Sequence, residues 1–203
     1  MKLGVGFSQA ADGDLRGDLS ARRVWASGIG APQAWVTLRQ VHGDHVVEAS
    51  TAGEAGEADG VFTTTPGLGL AVLTADCAGV VIGGEGGVGV AHAGWRGAHA
   101  EVVPNLVAAM RAAGIAPTVA HIGPAIGPCC FEVGEEVARL FPGDLATTTW
   151  GTTSVDLIGI ITAQSEELEV RRTGGCTFHD SAFLSHRRDG SPGRMAALAW
   201  LER

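Results

Sequence analysis

Short apolar runs recur along the chain at Leu3–Phe7, Trp35–Leu38, His45–Glu48, Gly60–Thr64, Leu70–Thr74, Val80–Ile82, Val88–Ala91, Val119–Ile122 and Ala196–Trp200. Most are bounded by Gly, Pro, Asp or Ser, and this length and punctuation predict strands. Apolar residues at helical spacing predict helices near Leu19–Ser27, Ala98–Ala113, Val133–Phe141, Val155–Leu168 and Ser181–Arg187. Strands crowd the first half and helices are interspersed later. That order predicts an α+β fold, a mixed sheet system covered by helices and not a regular doubly wound one. Ser50–Gly60 is rich in Gly, Ala and Glu and reads as a loop, while Glu166, Glu167 and Glu169 read as an exposed helix face and its end. Pro104 would break the ladder of the second helix unless that helix begins beside it, near Val103, or kinks there.

Length and charge narrow the picture. A chain of 203 residues suits one domain, 1–203, with no internal repeat and no long linker. Its formal charge of −8 excludes a broad nucleic-acid footprint, which needs clustered Lys and Arg over a surface. A small anion is not excluded, since one or two placed arginines suffice to hold it. No run approaches the roughly 18 apolar residues of a membrane span, and the N-terminus lacks a secretory pattern. The expectation is a cytoplasmic protein without a membrane partner. In that compartment Cys77, Cys129, Cys130 and Cys176 read as core thiols, metal ligands or nucleophiles.

Three candidate ligands stand at or near strand ends: His42 after "WVTLRQ", Cys77 after "LAVLTAD" and His92 closing "GVGVAH". Two His and one Cys form a donor set suited to zinc, and three protein ligands leave a fourth position open, as catalytic sites require. Spacing alone leaves the bland alternative standing, a core thiol with two hydrogen-bonded rim histidines. Arg96 lies between Gly94 and Gly97, ahead of a predicted helix, where backbone N–H groups and a guanidinium converge on an anion. Arg39 precedes His42 by three residues and is a second candidate. Trp95 is open between stacking on a flat ring and packing the turn. In "HIGPAIGPCCFEVGEEV" two Gly-Pro steps predict a rigid loop that fixes Cys129, Cys130 and Glu132. A disulfide between adjacent cysteines would be strained, so both read as thiols. Cys176 and His179 have a metal-like spacing, but nothing nearby in sequence completes the set, so no second metal is expected. Arg187 and Arg188 read as a solvated helix end.

Together "RQVHGD" (39–44), "ADGVFTTTPGLGLAVLTADC" (58–77), "AHAGWRG" (91–97), "IGPAIGPCCFEVG" (122–134), "SHRRDG" and "GRMAALAWL" resemble the YfiH family, once described as laccase-domain or multicopper polyphenol oxidases. The resemblance runs from about Ala34 to Leu201. It implies two packed mixed β-sheets flanked by helices, an αββα sandwich. It also implies purine nucleoside phosphorylase activity with adenosine deamination, on adenosine, inosine, guanosine or methylthioadenosine with phosphate as co-substrate. The family's metal ligands carry over onto His42, Cys77 and His92, with zinc as the metal and copper as the alternative. Three departures from the family pattern are Gly79 for a proline after Cys77, His179 for a cysteine, and Pro104 in the helix after the arginine loop.

The implied chemistry is attack of phosphate on the ribose C1′ as the glycosidic bond breaks, with Arg39, Arg96 and Cys130 as candidate phosphate or substrate contacts. Cys77, His42 and Arg39 are the expected catalytic residues. Zinc would lower the pKa of a coordinated water towards about 7, giving a nucleophile for C6 of adenine. Two other classes stay open: copper-dependent phenol oxidation, and a non-enzymatic metal-holding or peptidoglycan-associated partner protein. Against the first, seven histidines without a His-x-His pair are few for a multicopper enzyme.

Overall fold

The structure, a computed structural model, describes residues 2–190 and 192–202. In chain order the first strands are β1 (Leu3–Phe7), β2 (Trp35–Arg39), β3 (Val46–Glu48), β4 (Gly53–Glu57), β5 (Gly60–Thr63), β6 (Gly69–Thr74), β7 (Ala78–Glu85) and β8 (Gly87–Ala93). They are followed by β9 (Ala116–Ile122), β10 (Leu145–Thr147), β11 (Thr153–Val155), β12 (Glu169–Arg172) and β13 (Met195–Leu201). The helices are α1 (Leu19–Gly28), α2 (Trp95–His99), α3 (Val102–Ala112), α4 (Glu135–Ala138), α5 (Leu157–Gln164) and α6 (His186–Asp189).

Two mixed sheets form, in the orders β1-β13-β6-β2-β4 and β12-β9-β7-β8-β5-β3. The central strands are apolar on both of their alternating faces, which gives each sheet two apolar sides, so the chain stacks in layers. Val36, Leu70, Val72, Ala197 and Ala199 of the first sheet meet Val61, Val81, Val88 and Val90 of the second in one buried cluster. On the far side of the second sheet α3 and α5 add Leu106, Met110, Leu157 and Ile161 to a larger cluster. On the far side of the first, α1 packs Trp25 and Ala26 against Trp35, Leu198 and Trp200. The αββα order implied by the sequence is present.

Some elements differ from the sequence expectation, each for a local reason. The helix expected over Ala98–Ala113 is two helices, because Glu101 takes a left-handed φ of 62° between α2 and α3. Pro104 is the third residue of α3, where the missing N–H has no helical partner to lose. The helix expected over Val133–Phe141 shrinks to α4. Over Ser181–Arg187 only α6 forms, capped by the Ser185 hydroxyl, which accepts from the Arg188 N–H at 3.1 Å. The expected Ser50–Gly60 loop contains β4, and Glu169 opens β12 instead of ending a helix. Among the described residues no helix is long and apolar enough to cross a membrane.

Candidate active site

Val88, Val90 and His92 share one face of β8, and two valines of that row lie in the buried seam between the sheets. The same alternation therefore carries His92 to the end of the seam, where it is only 3% exposed. Cys77 occupies the turn between β6 and β7, after Asp76 at φ 86°. His42 follows β2 at φ 62°, an uncommon conformation for a non-glycine residue that turns its ring back over the seam. The ligand atoms of His42, Cys77 and His92 lie within 4.8 Å of one another. The two imidazoles stand edge to face, with centroids 4.8 Å apart. Gly94 makes room for them, since a Cβ there would sit 2.8 Å from the Cys77 sulfur and 3.3 Å from the His42 ring.

Asp59, with no exposed surface, holds this arrangement. Its carboxylate accepts from the N–H groups of Val41, His42 and Gly43 at 3.0, 3.1 and 2.8 Å, and meets His92 Nδ1 at 2.7 Å. One buried carboxylate thus fixes the loop bearing His42 and leaves Nε2 as the ring nitrogen of His92 available to a ligand. Burial opposes the charge on Asp59, but the bonds from His92 and the Gly43 amide hold its carboxyl below the usual range. Burial likewise pushes the Cys77 thiol up, and bonds and charge from His42 and His92 more than reverse this, to about 6. Burial pushes His92 down, and Asp59 and Cys77 raise it to about 9. A thiolate at neutral pH beside two imidazoles is a donor set that fits a borderline divalent metal with an open coordination position.

The trio faces a cleft of about 550 Å³. Six arginines line it (Arg16, Arg22, Arg39, Arg96, Arg187 and Arg194) against the two carboxylates of Glu54 and Asp76. In a chain of net charge −8 this is a local concentration of positive charge aimed at an anion. Burial pushes the Arg194 guanidinium down, and the neighbouring Arg16 adds to the effect. Arg39 pairs with Glu57 at 2.7 Å, an exposed pair worth at most about 1 kcal/mol that an anion can displace. Arg96 lies 4.1 Å from the centre of the Trp95 ring. Trp95 and Phe131 supply flat aromatic surface to the same cleft.

Asp76 anchors the rear wall. It is buried, accepts from the Thr177 hydroxyl and from the Arg187 N–H, each at 2.7 Å, and so ties the turn beside Cys77 to the C-terminal loops. Gln40 extends β2 by side-chain exchange with both backbone groups of Leu73, at 2.9 and 2.8 Å.

The sequence candidates therefore divide. His42, Cys77, His92, Arg39, Arg96 and Trp95 meet at the cleft. Cys130, expected near the substrate, is fully buried and is not among the cleft-lining residues; its sulfur lies 3.1 Å from that of Cys129. The Glu132 carboxylate accepts from the Trp150 indole at 2.7 Å and is likewise not a lining residue. Arg187, read as a solvated helix end, lines the cleft, whereas Arg188 is spent on the carbonyls of Thr177, Phe178 and Phe183. Asp59, Asp76, Arg16, Arg22 and Arg194 stand in no sequence pattern that marks a site; burial and the cleft distinguish them. The expectation that nothing completes Cys176 and His179 is overturned: Cys129 and Cys130 complete it, with all four ligand atoms within 4.8 Å.

The fold has close counterparts. The YfiH protein of Bacillus licheniformis matches with a TM-score of 0.82 and 25% identity, over 98% of this chain and 93% of that one. YlmD from Geobacillus stearothermophilus matches with a TM-score of 0.80 and 29% identity, over 99% and 91%. Residues 10–202 match the family described as multi-copper polyphenol oxidoreductase laccase. The chain belongs to this laccase-like YfiH family. Relatives are named for a different chemistry. Purine nucleoside phosphorylase ORF3 of Streptomyces griseus is 40% identical over 186 residues, 84% of this chain and 76% of that protein. Purine nucleoside phosphorylase SCO2081 of Streptomyces coelicolor is 39% identical over 208 residues, covering 95% and 86%.

Gly79, where the family pattern has a proline, is a paired residue of β7, opposite His92, and a Cβ there would sit 2.3 Å from that of Ala197. The glycine lets the two sheets close tightly behind the ligands.

Proposed function

We propose that this chain is a zinc-containing purine nucleoside phosphorylase that also deaminates adenosine. The observation that carries the reading is the cleft itself, in which six arginines surround a His42–Cys77–His92 trio in an otherwise acidic chain. The names of the relatives from two Streptomyces species agree with it. The substrates are adenosine, inosine, guanosine or methylthioadenosine, together with phosphate. The reading takes 1–203 as one domain, of which residues 1, 191 and 203 lie outside the described ones, and a cytoplasmic setting in keeping with four free thiols.

In phosphorolysis a phosphate oxygen bonds to the ribose C1′ as the bond from C1′ to the purine nitrogen breaks. The electron pair of that bond leaves with the base. Charge develops on an oxocarbenium-like sugar and on the departing purine, so catalysis rests on position and field. Arg39 and Arg96 hold the phosphate, and the remaining arginines keep the cleft positive against a dianion. Trp95 and Phe131 offer their faces to the flat base. Asp59 keeps His92 and His42 in register with Cys77. Zinc, when bound to His42, Cys77 and His92, supplies Lewis acidity and activates water for deamination at C6.

A nucleoside panel incubated with and without phosphate and resolved by chromatography tests the reading. Release of adenine, hypoxanthine or guanine that depends on phosphate supports it. Turnover indifferent to phosphate, or none by the zinc-loaded protein, overturns it. The family description favours copper-dependent phenol oxidation as the second reading, and His42, Cys77 and His92 also match the His₂Cys set of blue-copper sites. Stoichiometric copper with an intense thiolate-to-copper absorption band would select that reading over zinc.

A further inference from the structure

Two tight turns meet beside the cleft wall, and each brings a pair of metal-ligand side chains. The first follows Gly127, whose carbonyl accepts from the N–H groups of Cys130 and Phe131 at 3.0 Å each, so that Cys129 and Cys130 project together. The second folds over Cys176, whose carbonyl accepts from His179 and Asp180 at 3.1 and 3.0 Å. Ala125 and Cys176 join the two turns by a parallel bridge, and Thr177 N–H donates to the Ala125 carbonyl at 3.1 Å. Topology alone creates this meeting, since the pairs are remote in sequence.

We infer that Cys129, Cys130, Cys176 and His179 bind a structural zinc ion, separate from the His42–Cys77–His92 site. Four protein donors, three sulfurs and one imidazole, form a closed tetrahedral set with no position left for substrate. The distances suit it. Zinc bonded at about 2.3 Å to sulfur and about 2.05 Å to nitrogen sets tetrahedral edges of ~3.8 Å between sulfurs and ~3.6 Å from sulfur to nitrogen. His179 Nδ1 lies 3.6 Å from both the Cys129 and Cys130 sulfurs. The adjacent sulfurs, 3.1 Å apart, must open by about 0.7 Å to reach that edge. Cys176 Sγ accepts the Gly127 N–H at 3.2 Å, the kind of backbone bond that steadies a metal-bound thiolate. Gly127 packs closely on the cluster, since a Cβ there would lie 3.3 Å from the Cys176 Cβ and 3.4 Å from the Cys129 sulfur.

The ion would clasp the cleft from behind. None of its four ligands lines the cleft, but Phe131, next to Cys130, does. Thr177, next to Cys176, donates to Asp76 at 2.7 Å and so reaches the turn bearing Cys77. The metal therefore fixes loops that shape the cleft while taking no part in its chemistry.

The test counts zinc by mass spectrometry of metals in the full chain purified from zinc-supplied cells. Two zinc ions per chain are expected in the wild type, one in Cys77→Ala, one in Cys176→Ser and none in the double variant. Cobalt replacement in the Cys77→Ala background should give the visible and thiolate bands of a tetrahedral, sulfur-rich centre, absent after Cys176→Ser. Because His179 is exposed, His179→Ala should fold, and it should yield its second ion to a chelator that leaves wild type and His179→Cys loaded. A folded Cys77→Ala chain without zinc overturns the inference. So does an intact mass showing a disulfide among the three cysteines. Neither readout depends on nucleoside turnover, so failure here is distinguishable from failure of the proposed activity.

Discussion

The two sulfur-bearing clusters use the same ligand types in contrasting surroundings. His42, Cys77 and His92 offer three donors at the mouth of a cleft lined by six arginines, with Asp59 buried behind them. Cys129, Cys130, Cys176 and His179 offer four donors against the second sheet's helical face, with Cys130 fully buried and none of the four lining the six-arginine cleft. Donor count decides what a site can do, because a fourth protein ligand fills the position that substrate or water would take. Surroundings decide the rest. The first cluster is set in a positive field that gathers anions, while the second is held by backbone turns that gather loops. Proximity of cysteine and histidine is therefore not a mark of catalysis.

The largest expected effect separates the clusters directly. Cys77→Ala should lower phosphorolysis by at least ~10²-fold, given that losing a group that merely orients a ligand already costs ten- to a hundredfold. Cys176→Ser should lower the melting temperature and leave turnover within about tenfold. Steady-state kinetics with calorimetry on both variants checks this, and equal losses of turnover would erase the distinction. Next in size, Asp59→Asn should weaken zinc at the first cluster by ten- to a hundredfold while leaving the second loaded. The amide keeps the shape but puts a donor where His92 Nδ1 and three backbone N–H groups need an acceptor. Chelator competition measures it, and an unchanged affinity would remove Asp59 from its positioning role.

How much of this was legible in the sequence depended on what each residue type reveals alone. Central strands such as β6, β8 and β13 are buried on both faces, so their apolar runs announced them. Of the missed strands, β4 and β12 are edge strands made of Gly, Ala, Glu, Val and Arg with mostly exposed side chains. Their stability comes from backbone pairing with a neighbour, which leaves no hydrophobic period to read. His42, Cys77 and His92 were visible because each closes a recognisable strand. Asp59 was not, because within "EAGEADG" it looks like any solvated acid until burial singles it out. The second cluster escaped for a topological reason: Cys176 and His179 advertise half a site, and only the bridge from Cys176 to Ala125 brings the other half.

Arg39→Met should raise the phosphate KM by about ten- to a hundredfold, the worth of a charged hydrogen bond of about 1.5–3 kcal/mol. The nucleoside KM should barely move. Because its ion pair with Glu57 is exposed, little stability should be lost. The split between the two KM values is the measurement, and a matched rise in both would place Arg39 away from the phosphate.

The smallest effect is a pH slope, and its sign follows from two opposed shifts. Cys77, lowered from 9.0 to about 6, contributes stability that is present above 9.0 and lost as pH falls through about 6. His92, raised from 6.5 to about 9, contributes stability that is present below 6.5 and lost as pH rises through about 9. Between 6.5 and about 9 the native pair and the unfolded chain each carry one proton on these two groups, so the gains and losses cancel and metal-free stability stays flat. Metal binding is different, because it needs the thiolate and the neutral imidazole together. Across that window the pair must release one proton, from His92, so affinity at the first cluster should rise about tenfold per pH unit through this pair. In the second cluster, burial raises the thiols of Cys129 and Cys130, and both protons must go. Its affinity should rise about a hundredfold per unit through those two groups. Chelator competition from pH 6.5 to 8.5 on Cys77→Ala and Cys176→Ser variants reads each slope alone. A shallower slope at the second cluster would show that burial does not hold the Cys129 and Cys130 thiols up.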